Sequence, residues 1–374
     1  MPAYFDWAAT SPMRAEAVEA MLPFLTERFG NPSGSHAVSR EARKALDDAR
    51  DAVAACLGAR PAEVVFTGGG TEADNLAVIG AHAARPGPTV CSAVEHHAVL
   101  HACEALGDNR VAPVGAGGVV DLGRLAHLLD PSVSVVSVML ANNEVGTIQP
   151  LADVVALVRD RAPDAVVHTD AVQAFPWLDV AELAAPAGLV AVSGHKFGGL
   201  KGVGALVVRR GVVVRPIIHG GGQERDRRSG THNVAGIVAM AAAMRATVDD
   251  RAAVVARVAR LRDRLADGLV AAVPGCVETG DRSRKIAGNC HVSFDGVDSD
   301  SLLVLLDAAG VYASAGSACA SGAVDPSHVL AAMGVPRSRA AGSLRLSLGA
   351  GTTDADVDLA LGAIPAAVAR VRAG

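Results

Sequence analysis

The chain has 374 residues, 50% hydrophobic and only 3% aromatic, with a formal net charge of −5. That length suits a large α/β domain with a smaller companion, its core built from Ala, Val and Leu. The weak negative charge, with no basic block longer than Arg-Asp-Arg-Arg (225–228), excludes a direct nucleic-acid footprint, and no apolar run reaches the ~20 residues a membrane helix needs.

The first residues, Met-Pro-Ala-Tyr-Phe-Asp-Trp, carry neither a basic stretch nor an apolar export core, so the chain is expected in the cytoplasm. Apolar runs at 63–66, 89–92, 133–139, 166–168, 189–192 and 204–208 predict strands. Ala-rich segments at 72–84 and 151–161, with a short one after Asp170, predict helices between them. Strands alternating with helices predict a mostly parallel sheet covered on both faces. Helical spacing over 249–273 stops at Pro274-Gly275. A strand at 289–294, a helix at 300–309, a Gly/Ser/Ala stretch, a further helix and a strand at 343–347 then predict a smaller α+β domain. The boundary falls near 250, with 15–250 as the large domain and 1–14 plus 251–374 as the small one.

Several strand ends carry chemistry. Thr67-Gly68-Gly69-Gly70-Thr71-Glu72 leaves backbone N–H groups at a helix start, suited to a phosphate; a flexible turn capped by Thr71 is the plain alternative. His96, in Glu95-His96-His97, can stack on a planar ring or be an ordinary loop histidine. Asn142-Asn143-Glu144 offers two amides to a ligand or simply makes a turn. Asp170 follows its strand as a pyridinium partner would, or as a helix cap would. Gln173 is three residues on. Lys196, in Ser193-Gly194-His195-Lys196, sits past a buried strand where open α/β sheets bind ligands, the place for a Schiff-base lysine. None of the six cysteines has CxxC spacing. Five read as small hydrophobes. Cys319 is different: it lies in Tyr312-Ala313-Ser314-Ala315-Gly316-Ser317-Ala318-Cys319, a stretch of small residues with no apolar period, where an exposed thiol is expected.

Taken together, these motifs resemble the NifS/IscS-type cysteine desulfurases of the class V aminotransferase family. The resemblance runs from Asp6-Trp7-Ala8-Ala9-Thr10 to Arg345-Leu346-Ser347-Leu348-Gly349 and includes His219-Gly220-Gly221-Gly222-Gln223-Glu224-Arg225 and Arg228-Ser229-Gly230-Thr231. It implies a fold-type-I transferase dependent on pyridoxal 5′-phosphate (PLP), with a mostly parallel seven-stranded sheet in the large domain. Lys196 would carry the cofactor, Asp170 would pair with its ring nitrogen, Gln173 with its ring oxygen, and His96 would stack on the ring. Gly70, Thr71, Ser193 and His195 would hold the phosphate, joined by Thr231 from the partner of a homodimer. Asn143 and Arg345 would clamp the carboxylate of L-cysteine. Cys319, on a catalytic loop at about 313–325, would take the sulfur as a persulfide, with His96 as the base that forms its thiolate. The sulfur would pass to an acceptor such as an iron–sulfur scaffold or a tRNA-thiolation enzyme. Trp7, the Leu200-Lys201 pair and His232 depart from the common pattern at positions without a chemical role. A selenocysteine lyase or another class V PLP enzyme is the alternative; a sulfur carrier without catalysis would leave Lys196, Asp170 and the glycine loop unexplained.

Overall fold

The computed structural model describes residues 2–315 and 327–373. Strand β1 (Ala3–Tyr4) belongs with the small domain. The central sheet comprises β2 (Val64–Thr67), β3 (Thr89–Ser92), β4 (Asn109–Ala112), β5 (Val135–Ser137), β6 (Val166–Asp170), β7 (Leu189–Ser193) and β8 (Gly204–Val208). Their spatial order is β2-β8-β7-β6-β5-β3-β4. The β4, β3, β5, β6 and β7 neighbours pair in parallel, while β8 runs antiparallel to β7 and β2. The seventh strand, β4, has no counterpart among the predicted runs. It is Asn-Arg-Val-Ala at the sheet edge with Val111 exposed, so it lacks the continuous apolar run that marks a strand buried on both faces.

The helix predicted from 249 begins at Val234 and runs to Ala272, 39 residues, or about 58 Å of rod. Asn233 caps it: its side chain accepts from Gly236 N at 3.0 Å. Ile237, Met240 and Met244 enter the core under the central sheet. Val258, Leu261, Leu265 and Leu269 enter a second core with β1, β9 (Cys276–Glu278), β10 (Asn289–Phe294), β11 (Val311–Tyr312) and β12 (Ser343–Ser347). Residue 250 therefore lies inside one continuous helix that serves both cores. In the second region β12-β10-β9 form an antiparallel sheet, and β1 pairs in parallel with β11.

Glu224, Arg225 and Asp226 are three consecutive non-glycine residues in the left-handed region, with φ of 50°, 58° and 61°. Each costs on the order of 1–3 kcal/mol. Glu224 offsets this from inside. Its buried carboxylate accepts from Arg50 Nη1 and Nη2 at 2.8 and 2.5 Å, from Phe66 N at 2.9 Å and from His232 Nε2 at 2.7 Å. Burial pushes the carboxyl pKa up, but the hydrogen bonds from Arg50 and His232 outweigh it and hold it down at about 2. Arg50→Ala strands this anion and is expected to cost about 3–5 kcal/mol in denaturant unfolding. In the wild type, a carboxyl depressed in the folded state stabilises fully above its ordinary pKa of 4.5, and the contribution fades as pH falls towards 2. The penalty of Arg50→Ala should shrink over that window; a penalty unchanged by pH would contradict this assignment.

Candidate active site

The carboxyl ends of β2, β3, β5, β6 and β7 lie along one edge of the central sheet, and each feeds a residue into the same space. After β2, Gly69 takes φ +146°, a conformation that only glycine adopts readily, and the helix Gly70–Ala84 begins at the next residue. A Cβ on Gly204 would meet the Gly69 backbone at 2.7 Å, so this turn is pressed against β8. Gly69, not Thr71, is the helix cap, which leaves the Thr71 side chain free of that task.

Gly70, Thr71, His96, Asn143, Asp170, Gln173, Ser193, His195, Lys196 and Arg345 line one cavity of about 280 Å³. Thr231 does not line it. It is exposed, on a stretch pinned by Arg228 Nε to Glu72 Oε1 at 2.8 Å. Cys319 lies outside the described residues. The two amides after β5 separate: Asn142 is buried and uses its side chain to build the turn, accepting from Glu144 N and Val145 N and donating to Val94 O. Asn143 faces the cavity.

The Asp6–Thr10 motif forms a strap across the site. Ala8 O and Ala9 O accept from Lys196 Nζ at 2.5 and 2.9 Å, and Ala8 O also accepts from Gln173 Nε2 at 2.7 Å. Thr10 Oγ1 meets His195 Nδ1 at 3.2 Å. Asp6 Oδ1 accepts from Arg345 Nη2 at 2.9 Å, while Arg345 Nη1 donates to Asn143 O at 3.2 Å. Arg345 Nε is buried without a hydrogen-bond partner among the described residues. No hydrophobic period marks the strap, because its contacts are mostly backbone carbonyls.

The electrostatics keep the site's histidines neutral. Burial, then Lys196, pushes His96 down to about 4 and His195 to about 4. His96 caps the helix His97–Ala105, its Nδ1 accepting from Ala98 N at 3.1 Å. Burial, reinforced by Asp74, raises Asp170 to about 7. Asp74, to which the sequence analysis gives no role, also lines the cavity. Both ends of the segment that includes Cys319 are tied beside the Asn143–Arg345 pair. Ser314 pairs with Arg345 through both backbone hydrogen bonds, and Ser327 Oγ donates to the Glu144 carboxylate.

A family model described as Aminotransferase class-V matches residues 3–360. The chain belongs to the class-V aminotransferase family. Within this family it is 46% identical to an IscS-like cysteine desulfurase of Mycobacterium tuberculosis, over 99% of this chain and 97% of the relative. It is 42% identical to a cysteine desulfurase IscS of Methanosarcina thermophila, over 99% and 92%. A solved structure described as a NifS-like protein superposes with a TM-score of 0.93 at 36% identity, covering 99% of this chain and all of that one. The chain is thus NifS/IscS-like inside the class-V family, with the family's mostly parallel seven-stranded sheet and smaller second domain. Among the described residues no helix is long and apolar enough to cross a membrane.

Proposed function

We infer that this class-V family member is a PLP-dependent cysteine desulfurase, taking sulfur from L-cysteine, leaving L-alanine and passing the sulfur to an acceptor. The observation that carries it is the joining, in one cavity, of a glycine-bounded helix start, a buried acid and a lysine, in a chain so close to named cysteine desulfurases.

The residues present fit PLP. Gly70 and Thr71 open a 15-residue helix onto the cavity, where its first N–H groups suit an anion, and Gly70 lets this helix start pack against Val172, whose Cγ2 would lie 3.0 Å from a Cβ there. Ser193 and His195 complete the phosphate side, and Asp170 is the anion for the ring nitrogen. Gln173 serves the ring oxygen and His96 the ring face. When bound, PLP supplies the electron sink for charge left on the substrate's α-carbon. Lys196 would hold the cofactor, and its free amine would remove the α-proton. Arg345, aimed by Asp6 and the Asn143 carbonyl, holds the substrate carboxylate with Asn143, a task its bidentate fork suits. His96, neutral at working pH, is the base for the thiol proton, and to take it the ring gives up the Nδ1 hydrogen bond from Ala98 N.

Cys319 is the thiol that takes the sulfur. The other five cysteines are poor rivals. Cys91, Cys103, Cys276 and Cys290 are buried, and none of the five lines the cavity. Burial raises Cys276 to about 11 and Cys290 to about 12, far from the thiolate form. Thr231, exposed on its own chain, is available to the phosphate of a second copy in a homodimer. An iron–sulfur scaffold or a tRNA-thiolation enzyme in the cytoplasm is the acceptor this chemistry suits. Product identity tests the function: L-alanine should form from L-cysteine, with L-selenocysteine run beside it. A strong preference for selenocysteine, or amino-group transfer without alanine, would overturn it.

A further inference from the structure

Asp74 is a carboxyl of the cavity that none of the strand-end motifs includes. It lies one turn beyond Thr71 and is 2% exposed. Its Oδ1 stands 3.5 Å from His168 Nε2 and has no hydrogen-bond partner among the described residues. His168 is fully buried on β6, two residues before Asp170 and so on the same face of the sheet. Its Nδ1 meets Ser137 Oγ, on the neighbouring β5, at 2.8 Å. Asp170 accepts from Val172 N at 2.8 Å. Glu95, from the end of β3, adds a third buried carboxyl within electrostatic reach, its Oε1 accepting from Met139 N at 2.7 Å. Lys196 is the cation that acts on Asp170.

Buried acids this close cannot all ionise, since each added charge lacks both water and a counter-ion. The surroundings decide which one does. Asp170 has a backbone N–H, His168 and Lys196 to favour its anion, whereas among the described residues nothing offsets the burial of Asp74. Burial raises both carboxyls, but only Asp170 has groups that draw its anion back down, so Asp170 ionises first.

We propose that Asp74 is a positioning residue for the cofactor site: it stays a neutral acid, donates its O–H to His168 Nε2, and leaves Asp170 as the single anion offered to the ring nitrogen. The proton count closes within the set. His168 carries its own proton on Nδ1 and donates it to Ser137 Oγ, so the imidazole is locked as one tautomer beside Asp170. The proposal rests on the PLP reading of the cavity for its purpose, but not for the protonation state itself.

The test uses the full chain with and without PLP. In the cofactor-free protein at about pH 7, an infrared difference between wild type and Asp74→Asn should contain the carbonyl stretch of a protonated carboxylic acid. The same band should persist in Asp170→Asn. Asparagine keeps a neutral donor towards His168, so PLP affinity in Asp74→Asn should change by less than about 3-fold, against a loss of more than about 10-fold in Asp170→Asn. If Asp74→Asn proves unstable, carbon-13 carboxyl labelling of aspartate in the wild type should find one carboxyl still protonated after PLP is added. A difference spectrum without an acid band, labelled aspartates that are all ionised, or equal loss of affinity in the two variants would overturn the proposal. A wild type that binds no PLP would instead overturn the functional reading, and the infrared result would still decide the state of Asp74.

Discussion

Cys319→Ser should stop alanine formation from L-cysteine while the bound cofactor keeps its visible absorbance. Serine preserves size and polarity but offers an oxygen that does not ionise at working pH and has little affinity for a sulfur atom. Removing a nucleophile that no other group can replace costs at least about 10³-fold in rate. Substitution of the remaining cysteines should not reproduce the effect. Cys290 is fully buried on β10, and Cys91 and Cys103 are fully buried on β3 and the helix His97–Ala105. Steady-state alanine release, measured beside the cofactor spectrum, separates the loss of sulfur transfer from the loss of cofactor. A Cys319→Ser protein that keeps wild-type turnover would assign the sulfur to another acceptor.

The second large effect is at Lys196. Its Nζ is held by the carbonyls of Ala8 and Ala9 and lines the cavity with Asp170, His96 and Arg345. Lys196→Ala removes both the amine that retains PLP and the base at the substrate's α-carbon, so turnover should fall by on the order of 10³-fold or more. Borohydride treatment should fix PLP to the wild type at Lys196 and to no residue of the variant. The charge change has its own signature. Lys196 helps hold His96 and His195 down, so both imidazoles should titrate higher in Lys196→Ala, a shift that nuclear magnetic resonance reads directly. Cofactor fixed at a different lysine would contradict the assignment.

The residues of this site were legible where chemistry coincides with a strand end. Lys196 and Asp170 stand at the ends of buried Val-rich strands, and although each alone reads equally as a surface lysine or a helix cap, their order along the chain with the glycine run points to one site. The glycine run at 68–70 marks a backbone that must bend and stay bare, as the φ of Gly69 and the crowding at Gly70 bear out. The less legible parts depend on tertiary contacts that leave no local period. The strap Asp6–Thr10 works through carbonyl groups, which every residue carries. Asp74 carries no local signal of burial, and the packing of its helix against β6, β7 and β8 is what buries it. Asn142 and Asn143 look alike in sequence, and the turn geometry alone divides them into a builder and a cavity residue. The edge strand β4 is too polar to mark itself as a strand, and the first 15 residues of the long helix are apolar nearly all round and carry no polar face to give a helical period.

One single-turnover experiment bears most directly on the function. Protein loaded with PLP is mixed with L-cysteine in the absence of reductant; alanine is quantified, and the peptide that contains Cys319 is weighed by mass spectrometry. One alanine per cofactor, matched by one extra sulfur atom on Cys319, is the expected result. Alanine without sulfur on that peptide, or consumption of cysteine to pyruvate and ammonia, would contradict it.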